Sequence, residues 1–412
     1  MRSHLPVTAV LCRALLFFIG LSENNSLTNS RGRLRLVSDN SFAHSMIVID
    51  NESIGATAAI TLGVFVPVWA ILNCFAKRRD RRPEVLPPGT ERVLILGASS
   101  GVGRAVAHGY AERGAKVCVV ARRSAELEVV RSECEALAAP VSSSESDPIL
   151  TLCADITRAE DLVIIRKAVN ESEFLILNLI TILYLTLFFT EWHGLDTLIV
   201  AAGVSALRPV LEIAGVEGPS VTQPTVEGVQ KVEDVAMAAI KGNYLGPLLS
   251  VVTMVCLRSL LDLAPLRQMF VPQIPFMRST SISPSVLLMS SIGATIPAPT
   301  RAIYGSSKAA AYLFYQALSI ENPSVNFSLV LPSTIEGNFR ASAVDGGPVR
   351  ETDPNQGGLK REAVAKRCIR AIDAREKIVF VPAFFRFAQL LSWIWPSYLE
   401  RKAAQKYRFT PT

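Results

Sequence analysis

The stretch that most constrains the fold is L-I-L-G-A-S-S-G-V-G-R-A-V-A, residues 94–107. An apolar run, 93–96, ends in glycines, and an apolar-periodic segment opens at Val102. That is the order of a strand, a tight turn and a helix. Gly97, Gly101 and Gly103 let the backbone bend sharply and come close to a diphosphate, with Ser99 and Ser100 inside the turn. A helix starting near Val102 points its free amides and positive dipole end at that diphosphate. The spacing is G-x-x-x-G-x-G, which differs from the G-x-G-x-x-G of the standard dinucleotide turn.

From Glu91 onward, short apolar runs alternate with helix-periodic segments. Strands are expected at 92–96, 116–121, 149–154, 195–201, 286–289, 326–331 and 377–381. Helices are expected at 102–113, 124–137, 235–254, 304–319 and 359–374. Runs such as K-V-C-V-V-A at 116–121 are apolar throughout, as strands covered on both faces are. Strands alternating with helices of this length predict an α/β, doubly wound parallel sheet. Two segments interrupt the pattern, near 172–191 and 257–283. Residues 174–190 carry no charge, yet a membrane span there would put the third and fourth strands on opposite sides of the bilayer. They read either as an extended surface helix resting on a membrane or partner, or as an artefact of the gene model. In 257–283, Pro265, Pro272 and Pro275 limit regular structure.

Ahead of this domain lies a different kind of chain. Residues 54–76 are almost wholly apolar and uncharged, long enough to span a bilayer, and K-R-R-D-R-R follows at 77–82. Basic residues flank membrane helices on the cytoplasmic side, so the domain is expected in the cytosol. Residues 1–53 form a poorly patterned leader, and 77–90, with Pro83, Pro87 and Pro88, a basic linker. A mean hydropathy of +0.32, with 50% hydrophobic residues, suits a globular enzyme with membrane segments. Seven scattered cysteines and four histidines offer neither a disulfide framework nor metal-ligand spacing. The net charge of +6 is partly concentrated beside the apolar run, without an aromatic-interleaved basic stripe, so nucleic acid is not expected as a partner.

A second motif is Y-G-S-S-K, with Tyr304 and Lys308 four apart and therefore on one helical face. Ser291 ends a strand thirteen residues earlier, and Asn243 sits in a preceding helix. Together with the glycine turn, this ordered set resembles the short-chain dehydrogenase/reductase family over roughly 91–345. The resemblance implies a Rossmann fold spanning 91–381. It implies that Asn243, Ser291, Tyr304 and Lys308 form the catalytic tetrad, and that Gly97, Gly101 and Gly103 hold the cofactor. Asp155 matches the acid that contacts the adenine. V-A-A-G, with Ala202 and Gly203, stands where the family has Asn-Asn-Ala-Gly. Pro332 opens the segment in which Ile335 would hold the nicotinamide carboxamide through its backbone. Ser333 replaces a usual Gly, and Gly337 falls where a Thr is common.

The chemistry is consistent with that reading. A hydride delivered to a ketone leaves a developing alkoxide that needs a proton. A phenol of pKa about 10 is a poor donor near neutrality, and a lysine ammonium beside it lowers that value. Tyr304 is then the general acid in reduction and the base in oxidation. Lys308 would supply the charge and hold the ribose hydroxyls, and Ser291 would bond the carbonyl oxygen. Asn243 would hold a water that links Lys308 to solvent. At the end of the second strand, an acid would suit NAD, whereas Arg122 and Arg123 suit the 2′-phosphate of NADP. The expected cofactor is NADP(H), with Arg122 as the main contact and Arg123 stacking on the adenine.

The tail, 382–412, is aromatic and apolar with trailing cations, which suits a membrane interface. The expectation is a reductase anchored by one helix in the endoplasmic reticulum membrane, paired as a homodimer and acting on a lipophilic ketone or alcohol. The layout is similar to that of the 3-ketodihydrosphingosine reductases. Hydroxysteroid dehydrogenases of the 11-beta type are also anchored, but with a lumenal domain. A third expectation, of another class, is an NADP-binding scaffold without turnover.

Overall fold

Seven strands form one parallel sheet: β1 (Arg92–Leu96), β2 (Lys116–Ala121), β3 (Ile149–Cys153), β4 (Thr197–Val200), β5 (Ser285–Met289), β6 (Asn326–Pro332) and β7 (Ile378–Val381). Their spatial order is β3-β2-β1-β4-β5-β6-β7. The computed structural model describes residues 82–138, 148–169, 192, 194–216, 223–256, 276–348 and 354–409, with a two-residue antiparallel pair, Leu27–Thr28 and Leu34–Arg35, ahead of them. The chain divides into two units, Met1–Arg79 and Asp80–Thr412. The expected membrane run 54–76 and the interruption at 172–191 lie outside the described residues.

The central strands are largely apolar on both faces because helices cover both. Val93 and Ile95 pack with α1 (Gly101–Ala111), α2 (Ser124–Leu137) and α7 (Arg361–Asp373). Leu94 and Leu96 face the opposite layer, made by α3 (Ala159–Val169), the long helix over Val226–Val255 and α6 (Ala302–Glu321). Alternate residues along one strand thus serve two separate cores. The helix expected at 235–254 starts earlier, because Thr225 accepts the amide of Gly228 and caps α4 (Val226–Ile240). It continues through a π turn, Lys241–Leu245, into α5 (Gly246–Val251). This stretch, Val226–Val255, is the one described helix long and apolar enough to cross a membrane. It lies along the sheet instead, with Ala239, Val251, Met254 and Val255 buried.

Three differences from the sequence reading concern boundaries. Helix α3 was not anticipated. The second interruption, 257–283, was expected to have little regular structure, yet its described end forms a helical turn, Phe276–Thr280, whose Phe276 and Met277 sit in the core. The basic stretch 77–90 was expected to be a linker, yet Arg82 is 1% exposed. Its guanidinium donates to the carbonyls of Ser283 and Asp196 and to Thr197 Oγ1, and pairs with Glu91. All four partners lie at the amino-terminal ends of β1, β4 and β5, so this arginine is part of the domain.

The tail folds as α8 (Phe385–Ile394) and α9 (Pro396–Lys406). Phe384, Phe387, Leu390, Trp393, Ile394 and Trp395 remain exposed.

Candidate active site

The strand order reverses between β1 and β4, and a cleft of about 1130 Å³ opens there at the carboxyl ends of the strands. One wall is the glycine turn. Gly97 has φ +89°, and a Cβ on it would lie 2.5 Å from the backbone nitrogen of Ala202. A Cβ on Gly103 would lie 2.2 Å from the carbonyl oxygen of Gly97. Only glycine permits this closeness of turn, helix and β4. V-A-A-G manages without the family's asparagines: the amides of Ala201 and Ala202 both donate to Leu96 O at 2.9 Å. Ser99, Ser100, Gly101 and Val102 line the same wall.

The two arginines divide differently from the expectation. Arg123 donates to Ser99 Oγ and Ser100 Oγ, both at 3.0 Å, and so is tied to the glycine turn. Arg122 is 71% exposed and 3.9 Å from Asp155. Asp155 accepts from the amide and hydroxyl of Thr157, which fixes it beside β3. All three line the cleft.

Of the four expected catalytic side chains, Ser291, Tyr304 and Lys308 line the cleft, and Asn243 is buried behind its wall. Ser291 caps a short turn, its Oγ accepting from Gly293 N at 3.1 Å, and it bonds the Tyr304 hydroxyl. Lys308, one turn along α6 from Tyr304, is 4% exposed and donates to Met289 O at 3.1 Å. Asn243 lies in the π turn. Its side chain donates to Val204 O and Ser307 Oγ and accepts from Val204 N. It is therefore tied to the β4 loop. Gly203 separates it from Lys308: a Cβ there would stand 2.8 Å from Asn243 Oδ1 and 2.9 Å from Lys308 Nζ.

The electrostatics also differ from the expectation. Burial pushes the Tyr304 phenol above its ordinary value. The Ser291 hydrogen bond and the nearby Arg301 and Arg340 offset part of that rise. Burial likewise lowers Lys308 from 10.5 to about 8. In this state Tyr304 is a protonated donor, and its leading cations are arginines that the sequence reading did not single out.

Several wall residues come from segments whose approach no local pattern reveals. Phe339 meets the Tyr304 ring edge-on at 6.3 Å. The guanidinium of Arg301 lies 5.6 Å from the centre of the Tyr407 ring, which comes from beyond α9. The loop after β6 is pinned by Glu336, which holds Lys360 at 2.8 Å, and by Asp345, which accepts the amides of Leu207 and Arg208. Within it, Ile335 forms a parallel bridge with Leu359 that uses Thr334 O and Glu336 N. The peptide groups of Ile335 itself point the other way.

Residues 91–174 match the family model described as short chain dehydrogenase. The chain is 24% identical over 317 residues to the 11-beta-hydroxysteroid dehydrogenase A of Sesamum indicum, covering 75% of this chain and 73% of that one. It is 25% identical over 312 residues to the 11-beta-hydroxysteroid dehydrogenase-like 2 of Arabidopsis thaliana, covering 75% and 79%. Among solved structures it is similar to the short-chain dehydrogenase from Sphingobium yanoikuyae in complex with NADPH, with 20% identity, a TM-score of 0.46, and coverage of 75% and 94%.

Proposed function

We propose that the protein is an NADP(H)-dependent short-chain dehydrogenase/reductase that interconverts a lipophilic ketone and its secondary alcohol. The observation that carries this reading is the convergence of Ser291, Tyr304 and Lys308 beside the glycine turn, within one cleft. The cleft's polar groups suit the cofactor. The Gly97–Gly103 turn can close against β4 and α1 only where Gly97 and Gly103 lack a Cβ, and the start of α1 that it brings to the cleft suits a diphosphate. Arg122 and Arg123 offer cations for a 2′-phosphate. The buried Ser290 hydroxyl lines the cleft with no hydrogen-bond partner among the described residues, and Ile335 turns its peptide groups away from its bridge. Pro332, Ala202 and Gly203 complete the wall where the nicotinamide ring would lie.

Bound NADPH supplies a hydride. The chain's own groups do the rest. Ser291 holds the carbonyl oxygen through its hydroxyl, and Tyr304 gives that oxygen its proton. Lys308, one helical turn from Tyr304, keeps a positive charge at neutral pH and would hold the ribose hydroxyls of the cofactor. Asn243 positions the β4 loop on which Gly203 sits.

The finer reading is a membrane enzyme of the endoplasmic reticulum, with the catalytic domain cytosolic and with a lipid substrate. The apolar run 54–76, the cations after it and the exposed aromatic side chains of the tail support this. A 3-ketosphinganine-type lipid follows from the resemblance in layout, and a hydroxysteroid is favoured by the names of the relatives. A homodimer is part of the same reading. Membranes carrying the protein, given NADPH and a panel of long-chain ketones and ketosteroids, should consume NADPH in a Tyr304-dependent way. Turnover that survives Tyr304→Phe sinks the mechanism. Tight NADPH binding with no turnover on any ketone favours the scaffold.

A further inference from the structure

The tail meets the cleft with one face of α9. Leu399, Ala403 and Tyr407 are spaced four apart, and all three line the cleft. The stripe ends on its largest member. The amide of Tyr407 donates to Ala403 O at 3.0 Å, and Arg408 follows at φ +48°. The amide of Phe409 then returns to Ala404 O at 2.9 Å, so α9 stops at Tyr407 and the chain turns away.

The Tyr407 ring is seated on Arg301. That guanidinium lies 5.6 Å from the ring centre and is 7% exposed. It also donates to Ala206 O at 3.0 Å and to Ser205 Oγ at 3.4 Å. A cation over an aromatic face attracts most strongly where little water reaches it. Arg301 is itself fixed: it immediately precedes α6, and its carbonyl accepts the amide of Gly305, the residue after Tyr304. Thr300, just ahead, has φ +63°, a conformation that a β-branched residue rarely takes. Backbone held against its preference in this way gathers at binding and catalytic sites. Ser205 and Ala206 belong to the loop after β4, which Asp345 clamps through the amides of Leu207 and Arg208. Tail, β4 loop and the start of α6 therefore meet at one guanidinium.

This meeting point adjoins the chemistry. Arg301 stands three residues before Tyr304. Both Arg301 and the Tyr407 phenol act on the Tyr304 hydroxyl, the arginine favouring its ionised form and the phenol opposing it. Ala403, one turn back along the stripe, is small and leaves room on the wall beside Tyr407.

We infer that Tyr407 is a specificity-determining residue: its ring, seated on Arg301 beside Tyr304, limits the group that a bound ketone can carry on that side of its carbonyl. The inference rests on the reductase reading, which puts the carbonyl at Ser291 and Tyr304. The preferred substrate is then a ketone with its carbonyl near one end of the hydrocarbon. Its short group faces Tyr407, and its long group follows the rest of the wall. Loss of the ring opens that side and removes none of the groups assigned to the cofactor.

The test uses the full chain with 2-undecanone and 6-undecanone. These isomers share one formula, and their smaller substituents are a methyl and a pentyl group. Turnover is followed with NADPH. Binding is followed by calorimetry on the protein loaded with NADP+, which carries no hydride to give. The parent should favour 2-undecanone. Tyr407→Ala should raise the ratio of 6-undecanone to 2-undecanone, in kcat/KM and in affinity, by about tenfold or more, as extra methylene space in a pocket does. Tyr407→Phe keeps the ring on Arg301 and should keep the parent's ratio. An NADPH affinity equal to the parent's shows that Tyr407→Ala is folded; if it is lost, Tyr407→Leu is read in its place. A parent that prefers 6-undecanone overturns the inference. So does an unchanged ratio, an equal loss for both ketones, or a phenylalanine variant that behaves like alanine. Turnover of both ketones with no change of ratio leaves the reductase reading standing and removes this one. A shifted ratio in binding, with no turnover of either ketone, does the reverse.

Discussion

Asn243 and Val204 hold each other in both directions: Asn243 Oδ1 accepts from Val204 N at 2.9 Å, and Asn243 Nδ2 donates to Val204 O at 2.9 Å. The pair joins the π turn of the long helix to the loop leaving β4. Asn243 is itself fully buried, while Val204 is half-buried at the cleft wall. Asn243→Ala takes the partner from one amide and one carbonyl of Val204, at about 1 kcal/mol for each lost hydrogen bond. A lower urea midpoint is expected, together with a fall in turnover larger than the fall in NADPH affinity. Unchanged stability and turnover would remove Asn243 from the machinery.

Lys308 makes a pH prediction for the cofactor-free protein. Burial holds its folded pKa near 8, against 10.5 for the unfolded chain. Below pH 8 both states are protonated, and keeping the buried charge costs about 3 kcal/mol. Between pH 8 and 10.5 the unfolded chain binds more protons, so this contribution makes stability rise with pH. Lys308→Met should therefore stabilise the protein by about 1–3 kcal/mol at pH 7, less any loss from the Met289 carbonyl, and abolish turnover. The gap between variant and parent should close by pH 10.5. A gap that widens with pH contradicts the assignment.

Cofactor choice is tested at β2. Arg122→Ala and Arg123→Ala should each weaken NADPH by about tenfold or more, with a smaller effect on NADH, because only NADPH brings a 2′-phosphate. Arg123→Ala should also loosen the glycine turn, since it releases Ser99 and Ser100. Titration by nicotinamide fluorescence gives both affinities. If the NADPH-to-NADH ratio of the double variant matches that of the parent, the arginines do not read the phosphate.

Arg82→Ala leaves the Glu91 carboxylate buried without its partner. Loss of one side of a buried ion pair costs about 3–5 kcal/mol. The denaturant midpoint should fall accordingly. NADPH affinity of the folded fraction should not change, because this network lies at the opposite edge of the sheet from the cleft. Loss of affinity at constant stability would refute the structural role.

The sheet was legible because continuous burial leaves a plain trace: strands such as V-C-V-V can only be apolar if helices cover both faces. The glycine turn was legible because the close approach at Gly97 and Gly103 excludes every side chain. Tyr304 and Lys308 announced themselves by a spacing that one helix face explains. Arg301, Phe339, Arg340 and Tyr407 left no such trace. They reach the cleft through loop closure and the return of the tail, and neither follows from local periodicity. Arg82 was hidden for the opposite reason: it sits in a run of cations that reads as one solvated cluster, and burial singles out one member. The effect assigned to Lys308 on Tyr304 was also beyond the sequence, since it depends on how much water each group loses.

The two ends of the catalytic domain are unequal as places to alter the chain. At Arg82 the chain enters under the amino-terminal edge of the sheet, and at Lys406 and Tyr407 it leaves along the cleft wall. A tag, a soluble carrier or a foreign anchor joined just ahead of Arg82 is therefore attached on the side away from the chemistry. The same addition joined just after Tyr407 stands beside residues that line the cleft. Purification handles, surface immobilisation and swapped anchors belong at the front of this domain, and a crosslinkable probe meant to sense substrate entry belongs at its back.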